Sequence, residues 1–291
     1  MAGPGRDWAT AHLAAEVALL RHLATSPLAE SGTGPVSWVR TGVASNTHNG
    51  VTGARLHART AASAVAGTID RFVSRGLPAT WFLCDDSTPA DLGSLLEAGG
   101  CRPERSGWVM GAPVADLPTH AGRLPDGVVV EEVTRPSQLD AWFEAARGVT
   151  FDDDDTSRQR RQRLYASLGL GAGRPWRHWL ATDHGHPVGT ASALFTGSTV
   201  ALDHVGVRAT HRRRRLGSAL TLAPVAAARR AGVMAAVLGP SPDGRPRTRR
   251  WGSSWRRRSR TVPTTCRCDG SGARRALAAH HRYRALRCAD G

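Results

Sequence analysis

Lysine is absent from this chain of 291 residues: all 39 basic side chains are arginine. Beside the abundance of alanine, glycine and proline, this bias reads as GC-rich coding rather than selection for phosphate contacts. Tyrosine is nearly missing too, with only Tyr165 and Tyr283. No apolar run approaches the length of a membrane span, and Met1 to Trp8 lacks the charged-then-apolar layout of a secretory signal, so a cytoplasmic protein is expected. The cysteines are few, odd in number and irregularly spaced, five in all, which argues against a disulfide framework and agrees with a reducing compartment. Cys84 and Cys101 read as small buried apolar residues.

What is present suffices for a core: 41% of residues are hydrophobic, in a length that suits one large or two ordinary domains. The net charge of +15 invites a nucleic-acid reading, so its distribution matters. Residues 1–240 hold 25 arginines against 21 acids, whereas residues 241–291 hold 14 against 3. The basicity belongs mostly to the tail.

The pattern along the chain is mixed α/β. Leu13, Val17, Leu20 and Ala24 share a face of a helix predicted over 10–24. A strand follows at Val36–Arg40, and Val65, Ile69, Phe72 and Val73 line a helix over 60–75 that Gly76 and Pro78 terminate. A strand at 79–84, a helix at 89–98 and a strand at 105–111 complete the first half. Pro113 to Gly127 reads as a linker. Beyond it come strand 128–133, a helix carrying Leu139, Trp142, Phe143 and Ala146, and a second helix behind the acidic run Asp152–Asp155. Strands at 177–182 and 188–195 are joined by Asp183-His-Gly-His-Pro187, where the two histidines read as turn chemistry. Strand 199–207, a helix bearing Leu216, Ala219, Leu220, Ala223 and Ala227, and strand 233–238 follow, with Pro224 expected to bend or divide that helix.

The stretch from Leu202 to Leu220 organises the rest: a buried strand, a run of four arginines, and the first turn of an Ala/Leu-rich helix. A helix start leaves backbone N–H groups unpaired and carries the positive end of the helix dipole, so a phosphate placed there is held by amides and field together. Asp203 and His204 are the only ionisable residues of the central strand and so are candidate general bases; strand alternation predicts that they point to opposite faces.

Val207-x-x-x-x-Arg212-x-x-Arg215-Leu216-Gly217 resembles the acetyl-coenzyme A loop of the GNAT superfamily of N-acetyltransferases, Gln/Arg-x-x-Gly-x-Gly/Ala, with Arg215 standing where the family has its first glycine. The succession of elements over 126–240 resembles the order in which a GNAT domain is built. The resemblance implies a mostly antiparallel GNAT sheet flanked by helices, and a tandem arrangement: a degenerate GNAT-like module over 1–118, a GNAT N-acetyltransferase domain over 126–240 and an atypical tail over 241–291. It further implies acetyl-CoA as co-substrate, an amine acceptor on a small molecule or peptide, and direct attack in a ternary complex, without a metal. Val205 and Val207 would pair their backbones with the pantetheine arm, and the amides of Arg212, Arg213, Arg214, Arg215, Leu216, Gly217 and Ser218 would wrap the pyrophosphate.

After Gly244 the composition changes abruptly to an arginine-rich segment without apolar period, where a GNAT chain would supply a helix with a Tyr-x-x-Leu-Gly-Phe-like motif and two closing strands. A shift of reading frame near Gly244 accounts for both observations and predicts an exposed apolar sheet edge. The alternatives are a catalytically impaired acyl-CoA-binding protein, and a nucleic-acid-binding tail that uses arginines with Trp251 and Trp255. Cys266-x-Cys268 with His280, His281 and Cys288 lacks the spacing of a zinc knuckle.

Overall fold

The computed structural model describes residues 7–104, 109–151, 154–239, 256–258 and 265–268. In chain order the first half contains α1 (Trp8–Leu23), β1 (Glu30–Gly32), β2 (Val36–Arg40), β3 (Asn49–Ala54), α2 (Ala58–Val73), β4 (Ala79–Phe82), α3 (Leu92–Ala98), β5 (Arg102–Glu104) and β6 (Val109–Pro113). The second contains β7 (Val128–Glu132), α4 (Pro136–Ala146), α5 (Asp155–Ser167), β8 (Trp176–Asp183), β9 (His186–Thr196), β10 (Thr199–Val207), α6 (Leu216–Arg230), β11 (Ala235–Leu238), β12 (Arg256–Arg258) and β13 (Thr265–Cys268). These elements form two units, each with its own sheet: Leu23–Ser106 with Thr261–Gly291, and Met1–His22 with Gly107–Arg260.

The amino-terminal unit holds a six-stranded sheet of order β1-β2-β3-β4-β13-β5. Only β3 and β4 run parallel, because α2 carries the chain across between them. The apolar stripe of α2 is buried as its spacing dictates, with Val65, Ile69, Phe72 and Val73 packed beside Val51, Ala79 and Trp81. Asn49 fixes the turn after β2: its Nδ2 donates to the carbonyls of Val43, Ser45 and Pro78 while its Oδ1 accepts from the Thr41 N–H. One expectation is corrected here, since Cys101 and Cys268 form a disulfide across 167 residues of sequence. Sequence spacing alone gives no sign of it, because the tail strand β13 enters the sheet between β4 and β5 and only the fold brings the two thiols together.

The carboxyl-terminal unit holds a seven-stranded sheet of order β12-β6-β11-β10-β9-β8-β7, antiparallel except between β10 and β11. Alternation along β11 sends Ala236 and Leu238 to one core, with Leu216, Leu220, Val225 and Ala228 of α6. It sends Ala235 and Val237 to the other face, against Trp8 of α1. Gly111 is needed there, because a Cβ would overlap the Trp8 indole. On that same side of β8 and β9, α4 and α5 enclose an aromatic cluster: Trp142 lies 5.1 Å from Phe143 and 5.9 Å from Tyr165, whose ring is 4.3 Å from Trp176. Trp142 is anchored by its Nε1–H, which donates to the Ala191 carbonyl at 3.2 Å. Asp154 caps α5 by accepting from the Ser157 N–H, and that bond holds its carboxyl below the usual carboxylate range.

Three further expectations change. The apolar edge of β11 is not open: β6, drawn from the first half of the chain, pairs with it antiparallel over Ala235↔Pro113 to Leu238↔Met110. The stretch after β6 is packed rather than free, with Val114 and Leu117 buried in the core and their carbonyls accepting from Arg229 Nη2. Pro224 does not divide α6, because apolar residues on both sides of it, Leu220 and Val225 among them, are buried along one continuous helix. Two tail segments, Arg256–Arg258 and Thr265–Cys268, are strands. The tail residues Trp251, Trp255, His280, His281 and Cys288 lie outside the described residues.

Candidate active site

β10 and β11 pair in parallel from Thr199↔Ala235 to Leu202↔Leu238, and there the pairing stops. β10 continues to Val207, so among the described residues no strand faces Asp203–Val207 on that side. β10 therefore runs five residues past its pairing with β11, and among the described residues that edge of Asp203–Val207 is unpaired. On the other side β10 keeps β9, but the register slips between Asp203 and Gly206. His204, the residue inserted by this bulge, has φ of +52°. Gly206 permits the bulge: a Cβ there would lie 2.6 Å from Val149 Cγ1 and 2.7 Å from Thr150 Oγ1.

The bulge decides where the two candidate bases point. Alternation predicts opposite faces; instead Asp203 Oδ2 lies 3.5 Å from His204 Nε2, and the His204 N–H donates to Asp203 Oδ1 at 2.7 Å. Asp203 is 56% exposed, whereas the His204 ring packs among Phe151 at 5.0 Å, Trp142 at 6.0 Å and Trp176 at 6.3 Å. Its Nδ1 is buried without a hydrogen-bond partner among the described residues. Burial pushes the His204 imidazole below its ordinary value; the Asp203 carboxylate works against that and the Arg161 guanidinium reinforces it. Deeper in the same cluster, His178 Nδ1 is 2.7 Å from Ser192 Oγ, and burial, with His204 and His22 nearby, pushes His178 down to about 3.

Beyond β10 a short 3₁₀ turn, Ala209–His211, leads into the arginine run. Arg213 and Arg215 both adopt left-handed backbone, with φ of +63° and +68°. The glycine of the GNAT pattern thus has a physical basis: Arg215 holds the conformation that glycine adopts without strain. Arg215 is also the residue before the first turn of α6, and no side chain caps the helix there. The first i→i−4 bond runs from the Ala219 N–H to the Arg215 carbonyl at 3.0 Å, so the amides of Leu216, Gly217 and Ser218 start the helix without a helical acceptor. A phosphate is the natural partner for such amides.

The remaining candidates divide by role. Val205 is exposed. Val207 is buried in the α6-side core, and its carbonyl accepts from Arg212 Nε at 3.2 Å. That carbonyl thus already has one partner in the loop. Arg214 Nη1 reaches Asp183 Oδ2 at 2.9 Å, where His211 Nε2 also lies 3.3 Å away. Asp183, which the sequence places at a hairpin turn, touches the arginine loop because the fold sets the β8–β9 hairpin beside it. Gly206 was overlooked, although a glycine inside the apolar strand Val205-Gly-Val207 is a legible sign of a bulge or close approach. Among the described residues no group of three or more His, Cys, Asp or Glu side chains converges to hold a metal ion.

The amino-terminal unit repeats the parallel pair and crossover helix but not the unpaired strand end. Beyond Val51↔Trp81 the chain returns at Thr88 to bridge Arg55, its N–H donating to the Ala54 carbonyl and its carbonyl accepting from Leu56. Arg55 and Asp86 pair across the same place. The start of α2 is also occupied, because the His57 side chain accepts from the Arg59 N–H. The unpaired strand end and the uncapped helix start occur together only in the carboxyl-terminal unit among the described residues.

Residues 138–250 match the model of the acetyltransferase (GNAT) family. In overall fold the chain is similar to a GCN5-related N-acetyltransferase from Kribbella flavida, with 19% identity and a TM-score of 0.58 over 88% of this chain and 93% of that one. It is similar also to a tandem GNAT protein from the clavulanic acid biosynthesis pathway, at 13% identity and a TM-score of 0.52 over 90% and 95% of the two chains. A functionally unknown conserved protein from Staphylococcus epidermidis ATCC 12228 matches at 12% identity and a TM-score of 0.53, over 81% and 90%. No curated protein matches the chain. The match to the acetyltransferase (GNAT) family is therefore carried by residues 138–250, and the chain as a whole shares with these structures a fold of mixed, mostly antiparallel sheets flanked by helices.

Proposed function

We propose that the carboxyl-terminal unit transfers an acetyl group from acetyl-CoA to an amine of a small molecule or peptide, by direct attack in a ternary complex. The observation that carries this reading is the uncapped start of α6, with left-handed Arg213 and Arg215 before it, directly after the β10 segment that pairs with no described strand on its β11 side. The pantetheine arm lies along the free edge of β10 at Val205, and the pyrophosphate meets the amides from Arg212 to Ser218. Acetyl-CoA supplies the thioester. The acceptor nitrogen attacks its carbonyl carbon, the C–S bond breaks, and the thiolate leaves. His204, paired with Asp203 at the bulge, takes the amine proton, and its depressed pKa keeps it neutral and ready as a base at physiological pH.

Calorimetry with coenzyme A and a thiol-release assay with acetyl-CoA and a panel of amines test the reading. Binding in the micromolar range together with amine-dependent thiol release is expected. Binding without release for any amine identifies an acyl-CoA-binding protein that does not turn over, and absence of binding removes the reading altogether. The tail as a nucleic-acid ligand is separated by salt: RNA or DNA binding that weakens steeply with salt, without coenzyme binding, favours it.

A further inference from the structure

Four consecutive arginines at one helix start repel each other, and two of them hold left-handed backbone, which a side chain disfavours. Something must hold this loop before any phosphate arrives. Two side chains of the run are tied to the protein: Arg212 Nε donates to the Val207 carbonyl, and Arg214 turns to Asp183. Arg212, Arg213 and Arg215 are exposed, and only Arg214 is partly buried.

Asp183 is placed by the β8–β9 hairpin, whose two-residue turn, His184-Gly185, has positive φ at both positions, 47° and 82°. Its side chain is only 12% exposed. Oδ2 takes both loop contacts, from Arg214 Nη1 at 2.9 Å and His211 Nε2 at 3.3 Å. Oδ1 is buried and accepts no hydrogen bond among the described residues; His184 Nε2 is 3.8 Å from it. Among the described residues no hydrogen bond from a backbone amide to this carboxylate is seen, and its loop partners are Arg214 and His211. A half-buried carboxylate that faces a cationic loop attracts it more strongly than a solvated one would.

We propose that Asp183 is a positioning residue for the coenzyme loop: by drawing Arg214 and His211 inward it sets the backbone of 211–216, aims the amides of 216–218 outward, and leaves Arg213 and Arg215 to meet phosphate. The proposal rests on the reading of this loop as the coenzyme site. Affinity for coenzyme A is then the property that Asp183 governs, while the acetyl-transfer step at the bulge is not touched. Pre-ordering of a loop acts on binding by removing part of the ordering cost.

The test compares the full-length protein with Asp183→Asn, Asp183→Glu, Arg214→Met and the Asp183→Asn/Arg214→Met double variant. Coenzyme A affinity is measured by calorimetry, KM and kcat by thiol release, and folding by circular dichroism. Asp183→Asn is expected to raise Kd and the KM for acetyl-CoA about tenfold with kcat within about twofold of the parent, Asp183→Glu to recover most of the affinity, and the double variant to bind no worse than Arg214→Met alone, as residues acting through one contact do. If the parent binds coenzyme A and Asp183→Asn binds it equally well, the proposal falls while the coenzyme site stands. Additive losses in the double variant overturn it as well. A parent protein that binds no coenzyme A removes the underlying site instead. Should Asp183→Asn fail to fold, Arg214→Met carries the same comparison, and an unchanged Kd in that variant overturns the proposal.

Discussion

Asp203 and His204 are consecutive in one strand, yet their side chains meet, with Oδ2 of the first 3.5 Å from Nε2 of the second. A regular strand separates neighbours to opposite faces; here the bulge turns His204 into left-handed backbone and brings the imidazole round to the carboxylate. The pair sits just past the end of the β10/β11 pairing, with the carboxylate exposed and the imidazole sheltered by the rings of Trp142, Phe151 and Trp176.

The sheltered imidazole makes the pH dependence specific. With the His204 pKa lowered, the neutral base persists below pH 6.5, the ordinary value, so the acid limb of the kcat/KM profile should fall below that pH. Asp203 raises the His204 pKa, so Asp203→Asn should move the limb lower still, and His204→Gln should cost about a hundredfold in kcat. PH–rate profiles decide it: a parent limb at or above 6.5 contradicts the assignment.

His178 gives a separate signature in stability. Its folded pKa is about 3 against an ordinary 6.5, so between those values the unfolded chain binds the extra proton. The stability contributed by neutral His178 is full above pH 6.5 and is lost as pH falls toward 3, at about 1.4 kcal/mol per pH unit. Urea unfolding at a series of pH values should show a slope that is smaller by about one proton in His178→Gln. An unchanged slope would mean that the ring is charged or exposed in the folded protein.

Arg215 occupies a conformation that glycine takes freely. Arg215→Gly should therefore stabilise the protein by about 1 kcal/mol in urea unfolding while weakening coenzyme A binding, since the exposed guanidinium is lost with the strain. Equal or lower stability in the variant would show that the side chain contributes more in packing at Gly122, where its Nη1 already fills the space of a Cβ, than the backbone costs.

Gly206 is required by contact rather than by backbone hand. In Gly206→Val the new atoms meet Val149 and Thr150, and a loss of about 1–3 kcal/mol is expected, with the bulge and its Thr190 Oγ1–H bond to the His204 carbonyl disturbed. Thermal unfolding measures the first effect and the kcat of the variant the second.

The Cys101–Cys268 disulfide ties tail strand β13 into the amino-terminal unit. Cys268→Ser is expected to lower unfolding stability by about 2–4 kcal/mol under oxidising conditions and to leave it unchanged under reductant. Peptide mapping without reduction should recover the two cysteines on linked peptides; unlinked peptides at both positions would refute the pairing.

Most of the helices and strands were legible in the sequence because their cause is local. The spacing of Val65, Ile69, Phe72 and Val73 builds a buried stripe wherever the helix lies, and the Asp154 cap and the hairpin at His184-Gly185 follow from chemistry within a few residues. The arginine loop was legible for the same reason: strand, cationic turn and helix start are contiguous, and an uncapped helix start attracts anions in any fold. Arg215 in the place of a glycine was visible as well, though not that its backbone would take the left-handed form.

Tertiary structure decided the rest, because those features depend on which distant segments meet. The partner of Arg214 is Asp183, 31 residues away, and the partner of Cys101 is 167 residues away; no periodicity encodes either. The edge of β11 looked open because the segment expected to cover it should follow in sequence, and β6 from the first half covers it instead. The faces of Asp203 and His204 were misread because alternation assumes an unbroken register, and the register breaks where Gly206 lets residues 149–150 approach. What lay in contiguous residues was determined before folding; what lay in the meeting of strands waited for the sheet.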